Sequence, residues 1–585
     1  MFPVSTYRVQ LHKDFPLRML RDMLPYLHRL GVTTVYASPV FEAVPGSTHG
    51  YDVVDHTRLS PVLGGEDGFE ALVERLRALR LGVLVDWVPN HMGVGNDNAL
   101  WQDVLQHGEA SRHAPFFDVD WRPPREDLRG RMLLPVLGDQ YGVVLERGEL
   151  SLLLENGRLA VAYHDHRFPL DDLGTANVLA AALAAVRFDE DEMQRHEGDS
   201  IVAALRALAA AADRDERPQE ARLLRERLAR LVADSEPLRA AIDATLARWN
   251  GDPAHPHSFD ELDRVLRAQR YRLASWRVAG EEINYRRFFD VNDLAALRME
   301  VPAVFEHAHQ KLFELLARRR IDALRLDHTD GLADPAAYFE ALQRRFVQAT
   351  GAQPASETPD DRARPLPILV EKILEADERL PGSWHVDGAT GYEFARTLTG
   401  LFVQRRAERA LTSLYVAFTG DARSFAEQVH AARHQVLADS FSSELEMTAR
   451  ALLRIVADDR RHRDHTLGSC RRALTELLAA FPVYRSYVRE GTPPEPADVD
   501  VVRTAIGEAR RRAPTVDPGL FTLLESLLLM RTHAEGEQLE RQRVFARRLQ
   551  QLTGPLTAKA VEDTVFYRYT RFVCLNEVGG APQHF

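Results

Sequence analysis

Acidic side chains lie at the ends of three segments that the sequence predicts to be buried β-strands. Asp86 lies near the end of residues 83–88, Asp327 follows residues 323–326, and Glu371 follows residues 366–370. The carboxyl ends of neighbouring parallel strands meet at one edge of a sheet, and in a closed barrel this edge carries the active site. The sequence therefore predicts that these carboxyl groups lie close together.

The residues around these carboxyl groups indicate what chemistry they could perform. Arg325 and Asp327 are two apart on a strand, so they share a face and can touch. A neighbouring arginine lowers the pKa of a carboxyl group, so we expect Asp327 to be ionised and to suit the role of a nucleophile or of a charge stabiliser. Glu371, if it lies among apolar walls and other carboxylates, would have a raised pKa and suit a general acid. An ionised and a protonated carboxyl about 5–5.5 Å apart are typical of retaining glycosidases.

Each of these residues, taken singly, also has an ordinary structural interpretation. An aspartate at a strand end is more often a helix cap or a loop anchor than a catalyst. A salt bridge within the rim would explain Asp86, a structural ion pair would explain Arg325 and Asp327, and His91 would be an ordinary loop histidine. Their occurrence together at the ends of consecutive strands favours an active site.

The elements that must position these residues alternate between strand and helix. Apolar strands in alternation with helices indicate a parallel sheet covered by helices. The predicted strands are residues 6–11, 32–37, 83–88, 323–326 and 366–370, and the predicted helices between them are residues 17–30, 66–81, 304–321 and 336–350.

Long segments interrupt this alternation. A crossover between parallel strands needs only a dozen or more residues, so most of the chain between the third and fourth strands is predicted to be an insertion. The expected division is a first part of a catalytic barrel (1–91), an insertion with a mixed β-containing part and then a helical part (92–300), the region of strands 4 and 5 with the catalytic residues (301–396), a helical insertion (397–552) and a return to the barrel (553–585).

Composition excludes several classes of protein. The 585 residues carry 74 basic and 86 acidic side chains, a formal net charge of −12, which disfavours a nucleic-acid partner. No apolar run approaches the roughly 20 residues needed to span a bilayer, so no membrane association is expected. The N-terminal residues do not resemble a signal peptide, and two cysteines, Cys470 and Cys574, cannot form a disulfide framework, so we expect a cytoplasmic protein.

Known cofactor motifs are also missing from the sequence. No glycine-rich dinucleotide loop follows a strand, and no phosphate-binding P-loop, CxxC or HExxH motif occurs. Histidine clusters at 164–166, 306–309 and 462–465 are interpreted as solvated faces. We therefore expect neither a cofactor nor a bound metal ion.

Several motifs resemble a known clan of enzymes. DWVPNH (86–91), ALRLDH (323–328) and VEKIL (370–374) resemble, in order and spacing, the signatures of the α-amylase clan of glycoside hydrolases and transglycosidases. Longer stretches resemble the maltooligosyltrehalose synthase family of that clan, from about residue 3 to the last residue. These stretches are STYRVQL (5–11), SPVFEAVPGSTHGYDVVDH (38–56), INYRRFFDVNDLAALR (283–298), LRLDHTDGLADP (324–335) and TGPLTAKAVEDTVFYRY (553–569).

This resemblance implies a fold and a reaction. The fold would be α/β, a (β/α)8 TIM-type barrel with a large insertion after strand 3 and a helical insertion late in the chain. The substrate would be a maltooligosaccharide or linear α-1,4-glucan. Its reducing-end α-1,4 linkage would be converted to an α,α-1,1 linkage by an intramolecular glucosyl transfer that uses two carboxylates.

The resemblance also implies roles for individual residues. Asp327 would be the nucleophile, Glu371 the general acid and base, and Arg325 would hold Asp327 ionised and oriented. The residues expected to line the subsite of the attacked glucose are His49, Tyr51, Asn90 and His91. The candidates for the polar wall of the pocket that retains the released glucose are His328, Asp330 and Lys372.

One part of the family pattern is missing. The clan carries a third carboxylate in a His-Asp signature, but the only His-Asp dipeptide here is His164-Asp165, inside the predicted insertion. We therefore expect an incomplete barrel whose activity is weak or absent, with a missing C-terminal polypeptide as a further partner. The alternatives are an α-1,4-glucan hydrolase of the same clan and a non-catalytic glucan-binding protein.

Overall fold

The computed structural model describes residues 3–155, 157–186, 192–210, 217–352, 364–375, 377–531 and 534–583. The chain divides into two compact units. The first comprises Met1–Met92, Arg287–Val291 and Leu297–Phe585, and the second comprises Gly93–Arg286 and Asn292–Ala296. No helix in these described ranges has both the length and the apolar character needed to cross a membrane.

The first unit is built on a parallel sheet whose strands follow one another in chain order. Its six strands are β1 (Thr6–Val9), β2 (Thr34–Ala37), β3 (Gly82–Trp87), β4 (Ala323–Leu326), β5 (Ile368–Val370) and β6 (Gly388–Ala389). Every neighbouring pair is parallel. The five predicted strands are confirmed, and β6 was not predicted. The described residues thus contain six strands of the α/β type expected for a (β/α)8 barrel, which has eight.

Helices connect the strands and cover the sheet. The helix Leu17–Leu30 buries Leu17, Leu20, Leu24 and Leu27, whose spacing places them on one face, and it ends at Gly31, which has a φ of 90°. The predicted helices between the strands are confirmed. The α-helices of this part are Leu17–Leu30, Gly65–Ala78, Pro302–Ala317, Pro335–Thr350 and Tyr392–Gly400, and the strands Phe41–Ala43 and Val53–Leu59 form an antiparallel hairpin.

The rest of the first unit is almost entirely helical. Its helices share a continuous core of buried leucine, alanine, valine and phenylalanine side chains. The short strand Arg287–Phe288 also belongs to this unit. The helices are Glu408–Thr419, Phe425–Asp439, Ser442–Ala457, Leu467–Ala479, Pro496–Arg512, Pro518–Leu528, Gly536–Thr557, the π-helix Ala558–Val565 and Phe566–Arg568.

The second unit contains both strands and helices. The strands Met132–Leu137 and Tyr271–Ser275 pair in parallel, and Leu150–Glu155, Arg158–Tyr163 and His166–Pro169 form an antiparallel sheet in which His164 and Asp165 form a turn. The short strand His91–Gly93 and the strand Val291–Ala296 lie at the limits of the two units. The helices are Ala99–His107, Tyr141–Glu146, Asp172–Ala185, Glu192–Ala210, Arg217–Asp234, Glu236–Trp249, Asp260–Ala268 and Ala279–Glu282.

Candidate active site

The ends of β3, β4 and β5 bring the predicted carboxyl groups together. Arg325 on β4 lies directly opposite Asp86 on β3. The backbone N–H groups of Asp327 and Glu371 continue the hydrogen-bond ladder beyond the ends of their strands, each at 2.9 Å from a carbonyl oxygen of the neighbouring strand. The backbone therefore holds both carboxyl-bearing residues at the same edge of the sheet.

The guanidinium of Arg325 connects the three carboxyl groups. Its Nη1 donates to Asp86 Oδ1 at 2.8 Å and to Asp327 Oδ1 at 2.7 Å, which confirms that Arg325 and Asp327 share a face. Its Nη2 lies 3.3 Å from Glu371 Oε2. The backbone N–H of His328 also donates to this Glu371 oxygen, at 2.8 Å. One cation thus orients both candidate catalytic carboxyl groups.

The electrostatics of this cluster differ from the expectation. Burial and the nearby carboxylate of Glu371 raise the pKa of Asp327 well above its usual range, although Arg325 opposes this shift. Burial likewise raises the pKa of Asp86. The physical reason is that one guanidinium faces three carboxyl groups in a site shielded from water, so a single positive charge cannot balance three negative ones. Arg325 orients Asp327 and lowers the pKa of its carboxyl group, but not by enough to offset burial and the carboxylate of Glu371.

Two tyrosines hold Asp86 from the other side. The hydroxyl of Tyr51 donates to Asp86 Oδ2 at 2.5 Å, and that of Tyr36 donates to the same oxygen at 2.9 Å. Arg8 in turn donates to the Tyr51 hydroxyl at 3.0 Å. The ring of His49 stacks near Tyr51 with a centroid distance of 6.0 Å, and half of the His49 side chain is exposed. Tyr51 and His49 therefore lie at the rim, where a sugar ring could approach them.

Asn90 and His91 lie deeper in the site. Both residues are buried, and the ring of His91 packs on Phe288 with a centroid distance of 4.3 Å. The ring of His328 makes edge contacts with Phe288 and Phe289, at 5.0 Å each. His328 itself adopts a left-handed backbone conformation with φ of 43°, which turns the chain sharply after Asp327. An aromatic cluster thus borders the carboxyl groups.

Lys372 and Asp330 form part of a buried network instead of an open wall. The Lys372 side chain is fully buried, and its ammonium donates to the carbonyl of Ile373 at 2.8 Å and lies 3.3 Å from Glu378 and 3.5 Å from Asp330. The hydroxyl of Tyr487 donates to Asp330. Because these polar groups satisfy one another inside the protein, we assign Lys372 and Asp330 to the support of the site and not to its surface.

Gly331 is required by the close approach of the chain to Asn90. A Cβ atom on residue 331 would overlap the side-chain oxygen of Asn90 and the ring of His328. We expect Gly331→Ala to destabilise the protein by about 1–3 kcal/mol, because either the backbone at residue 331 or the side chain of Asn90 must move to make room for the methyl group. Chemical unfolding measures this change. Gly507→Ala is the matched control, since a Cβ there meets nothing within 4 Å, and unchanged stability of Gly331→Ala would contradict the close packing.

Some residues near the site were not found by sequence reasoning. The hydroxyl of Tyr392 lies 3.5 Å from Glu371 Oε1, and burial raises the pKa of Tyr392. Tyr392 follows β6, a strand of two residues that has no recognisable pattern. Tyr36 lies on β2, which pairs with the strand that carries Asp86. This pairing of consecutive strands could have indicated that Tyr36 lies near Asp86.

The fold and the carboxyl cluster define a class of protein, and comparison with known sequences supports it. The sequence profile described as "Alpha amylase, catalytic domain" matches residues 14–141. The parallel sheet and the strand-end site are those of an α/β barrel of the α-amylase type.

Several longer proteins are similar to this chain along its whole length. A "Putative maltooligosyl trehalose synthase" of Mycobacterium tuberculosis is 32% identical, over 100% of this chain and 59% of its own length. The structure of the maltooligosyltrehalose synthase from Arthrobacter ramosus is 31% identical, with a TM-score of 0.71, and covers 100% of this chain and 59% of that one. A "hypothetical maltooligosyl trehalose synthase" from Sulfolobus tokodaii gives 25% identity, a TM-score of 0.65 and coverages of 100% and 58%.

The chain is therefore homologous to the maltooligosyl trehalose synthases along its whole length. It spans 59% of the length of the curated relatives from Mycobacterium tuberculosis.

Proposed function

We propose that this site rearranges the reducing end of a maltooligosaccharide, converting an α-1,4 linkage into an α,α-1,1 linkage. The observation that carries the proposal is the single guanidinium of Arg325, which contacts both Asp327 and Glu371 at adjacent strand ends. The substrate and the product are proposed from the names of the relatives. The roles of Asp327 and Glu371 are proposed from the contacts of their carboxyl groups.

Asp327 attacks the anomeric carbon and forms a glucosyl-enzyme, while Glu371 protonates the departing sugar oxygen. Arg325 Nη1 lies 2.7 Å from Asp327 Oδ1, so its charge stabilises the carboxylate form of Asp327 that attacks, against the effect of burial. Glu371 then removes the proton from the incoming hydroxyl. Two inversions at the same carbon give net retention.

The released glucose must stay bound and change its orientation before water takes its place. Holding a reactant beside the glucosyl-enzyme gives it an effective concentration far above that of a free solute. His49, Tyr51, Asn90 and His91 are assigned to the subsite of the attacked glucose. The ring of His328, which packs against both Phe288 and Phe289, is assigned to the retained glucose.

The test is the fate of reducing ends when the purified chain is incubated with maltohexaose. The proposal predicts that the number of reducing ends falls with the wild-type chain and stays unchanged in the Asp327→Asn control. The incubation uses enzyme at substrate concentration, so that even slow turnover is detected.

Two other outcomes would overturn the proposal. An increase in reducing ends would identify an α-1,4-glucan hydrolase. Measurable binding of maltohexaose to a folded chain, with the number of reducing ends unchanged, would identify a protein that binds glucan without converting it.

A further inference from the structure

Three potential metal ligands converge within the helical part of the first unit, where the proposed reaction uses no residue. His430 and His434 lie four residues apart on the helix Phe425–Asp439, so both rings project from one face. Glu476 lies on the helix Leu467–Ala479, which packs against it. A ring nitrogen from each histidine and a carboxylate oxygen of Glu476 all lie within 4.8 Å of one another.

Both imidazole rings lie beside the carboxylate of Glu476, one at each of its oxygens. His430 Nε2 lies 3.3 Å from Glu476 Oε2, and His434 Nε2 lies 3.4 Å from Glu476 Oε1. Ligands placed about 2.0–2.1 Å from Zn²⁺ in a tetrahedron are about 3.4 Å apart. A charge-assisted hydrogen bond between nitrogen and oxygen would instead be about 2.7–2.9 Å long. Each imidazole nitrogen thus lies farther from its carboxylate oxygen than in a short hydrogen bond, at a distance that two ligands of one metal ion would also have.

The polar atoms that face one another here are otherwise unsatisfied. Nε2 of His430, Nε2 of His434 and Oε2 of Glu476 are buried and have no hydrogen-bond partner among the described residues. A buried polar atom without a partner costs about 1–3 kcal/mol, so three at one point call for an explanation. A metal ion would satisfy all three.

Charged groups of both signs lie around the cluster. Burial, the guanidinium of Arg512 and the neighbouring His434 lower the pKa of His430. Arg512 is itself paired with Glu508 at 2.5 Å and is partly exposed, which weakens its repulsion of a cation. Glu476 supplies the negative charge.

The two helices are also held rigidly beside the cluster. Arg433, between the two histidines, is buried and donates to the carbonyls of Ala479 and Phe481, at 3.1 and 2.5 Å. These bonds fix the first helix against the end of the second. The histidines and Glu476 are thus positioned by contacts that do not depend on a metal.

We propose that His430, His434 and Glu476 bind a divalent transition-metal ion of the Zn²⁺ class, which links the two helices and stabilises the helical part of the first unit. Two imidazoles and a carboxylate are ligands that Zn²⁺ and Co²⁺ accept, with water completing the tetrahedron. The site is separate from Asp327 and Glu371, and the proposal does not depend on the proposed function.

The test is titration of the purified, chelator-treated full chain with Co²⁺. The proposal predicts one equivalent bound, with the visible absorption of a four-coordinate Co²⁺, and a higher melting temperature after addition of either Co²⁺ or Zn²⁺. His434→Gln and Glu476→Gln will each lower the affinity for Co²⁺ by about 10-fold or more and remove the melting shift. The matched control is His257→Gln, because the side chain of His257 is fully exposed.

Melting curves in chelator establish that each variant is folded before titration. His434→Gln and Glu476→Gln replace different ligands, so the test can still be completed if one of the two variants does not fold. The proposal is overturned if the wild-type chain binds no Co²⁺, or if a folded variant binds it with unchanged affinity and absorption.

Discussion

Replacing Asp327 by asparagine will abolish the consumption of reducing ends while making the protein more stable. The loss follows because asparagine cannot form a glucosyl ester, and removal of a catalytic nucleophile costs about 10⁴-fold or more in rate. The gain follows because burial and Glu371 raise the pKa of Asp327, so its carboxylate is unfavourable in the folded state. The assay is reducing-end loss with maltohexaose, together with the melting temperature at pH 7.5.

The stability part of this prediction has a definite dependence on pH. A carboxyl group whose pKa is raised by folding binds more protons in the native protein than in the unfolded chain. The free energy of unfolding therefore falls as the pH rises above the unfolded-state pKa of about 3.9. We expect the advantage of Asp327→Asn over the wild-type protein to grow from pH 4 to pH 8.

The control for this variant is Asp14→Asn, which removes a charge from an exposed side chain. It should change neither the rate nor the pH dependence of melting. Activity of Asp327→Asn equal to that of the wild-type protein would contradict the assignment of the nucleophile. A melting temperature of Asp327→Asn below that of the wild-type protein at pH 8 would contradict the electrostatic description of the site.

Replacing Arg325 by methionine will produce the largest loss of stability. The variant leaves Asp86, Asp327 and Glu371 without their shared cation in a buried site. Removal of one partner from a buried ion pair costs about 3–5 kcal/mol, because the remaining charge is uncompensated. Urea unfolding at pH 7.5 measures this loss, which should shrink at pH 5 as Asp86 and Asp327, whose pKa values burial raises, take up protons.

Two further variants make this second prediction specific. Adding Asp86→Asn to Arg325→Met removes one of the uncompensated charges and should recover part of the stability. Arg320→Met is the matched control, because Arg320 pairs with Glu70 near the surface, where such a pair contributes about 0–1 kcal/mol. Equal losses for Arg325→Met and Arg320→Met would show that Arg325 does not hold the carboxyl groups together.

The sequence was sufficient for the parts of the site that depend on strand periodicity. The alternation of strands and helices predicted β1 to β5 and the edge at which their carboxyl groups meet. The two-residue spacing predicted the contact between Arg325 and Asp327, which the 2.7 Å distance confirms. These features are local, or follow from the regular pairing of parallel strands.

Other features depend on contacts between distant segments and carry no local pattern. Lys372 follows Glu371 in the sequence, but its burial results from packing against Glu378 and the helical part of the chain. The net pKa of Asp327 depends on how many carboxyl groups share one guanidinium, which spacing alone does not give. The pair His430 and His434 becomes a candidate metal site only when Glu476, forty-two residues beyond His434, is placed beside it.

The most direct test of the proposed mechanism is covalent trapping of the glucosyl-enzyme. The purified chain is incubated with 5-fluoro-α-D-glucosyl fluoride, whose good leaving group needs no general acid and whose ring fluorine slows release of the sugar. Digestion and mass spectrometry then locate the modified residue. The account predicts a fluoroglucosyl adduct on Asp327, which is absent from Asp327→Asn. An adduct on another residue, or an unmodified protein that nevertheless binds maltohexaose, would contradict it.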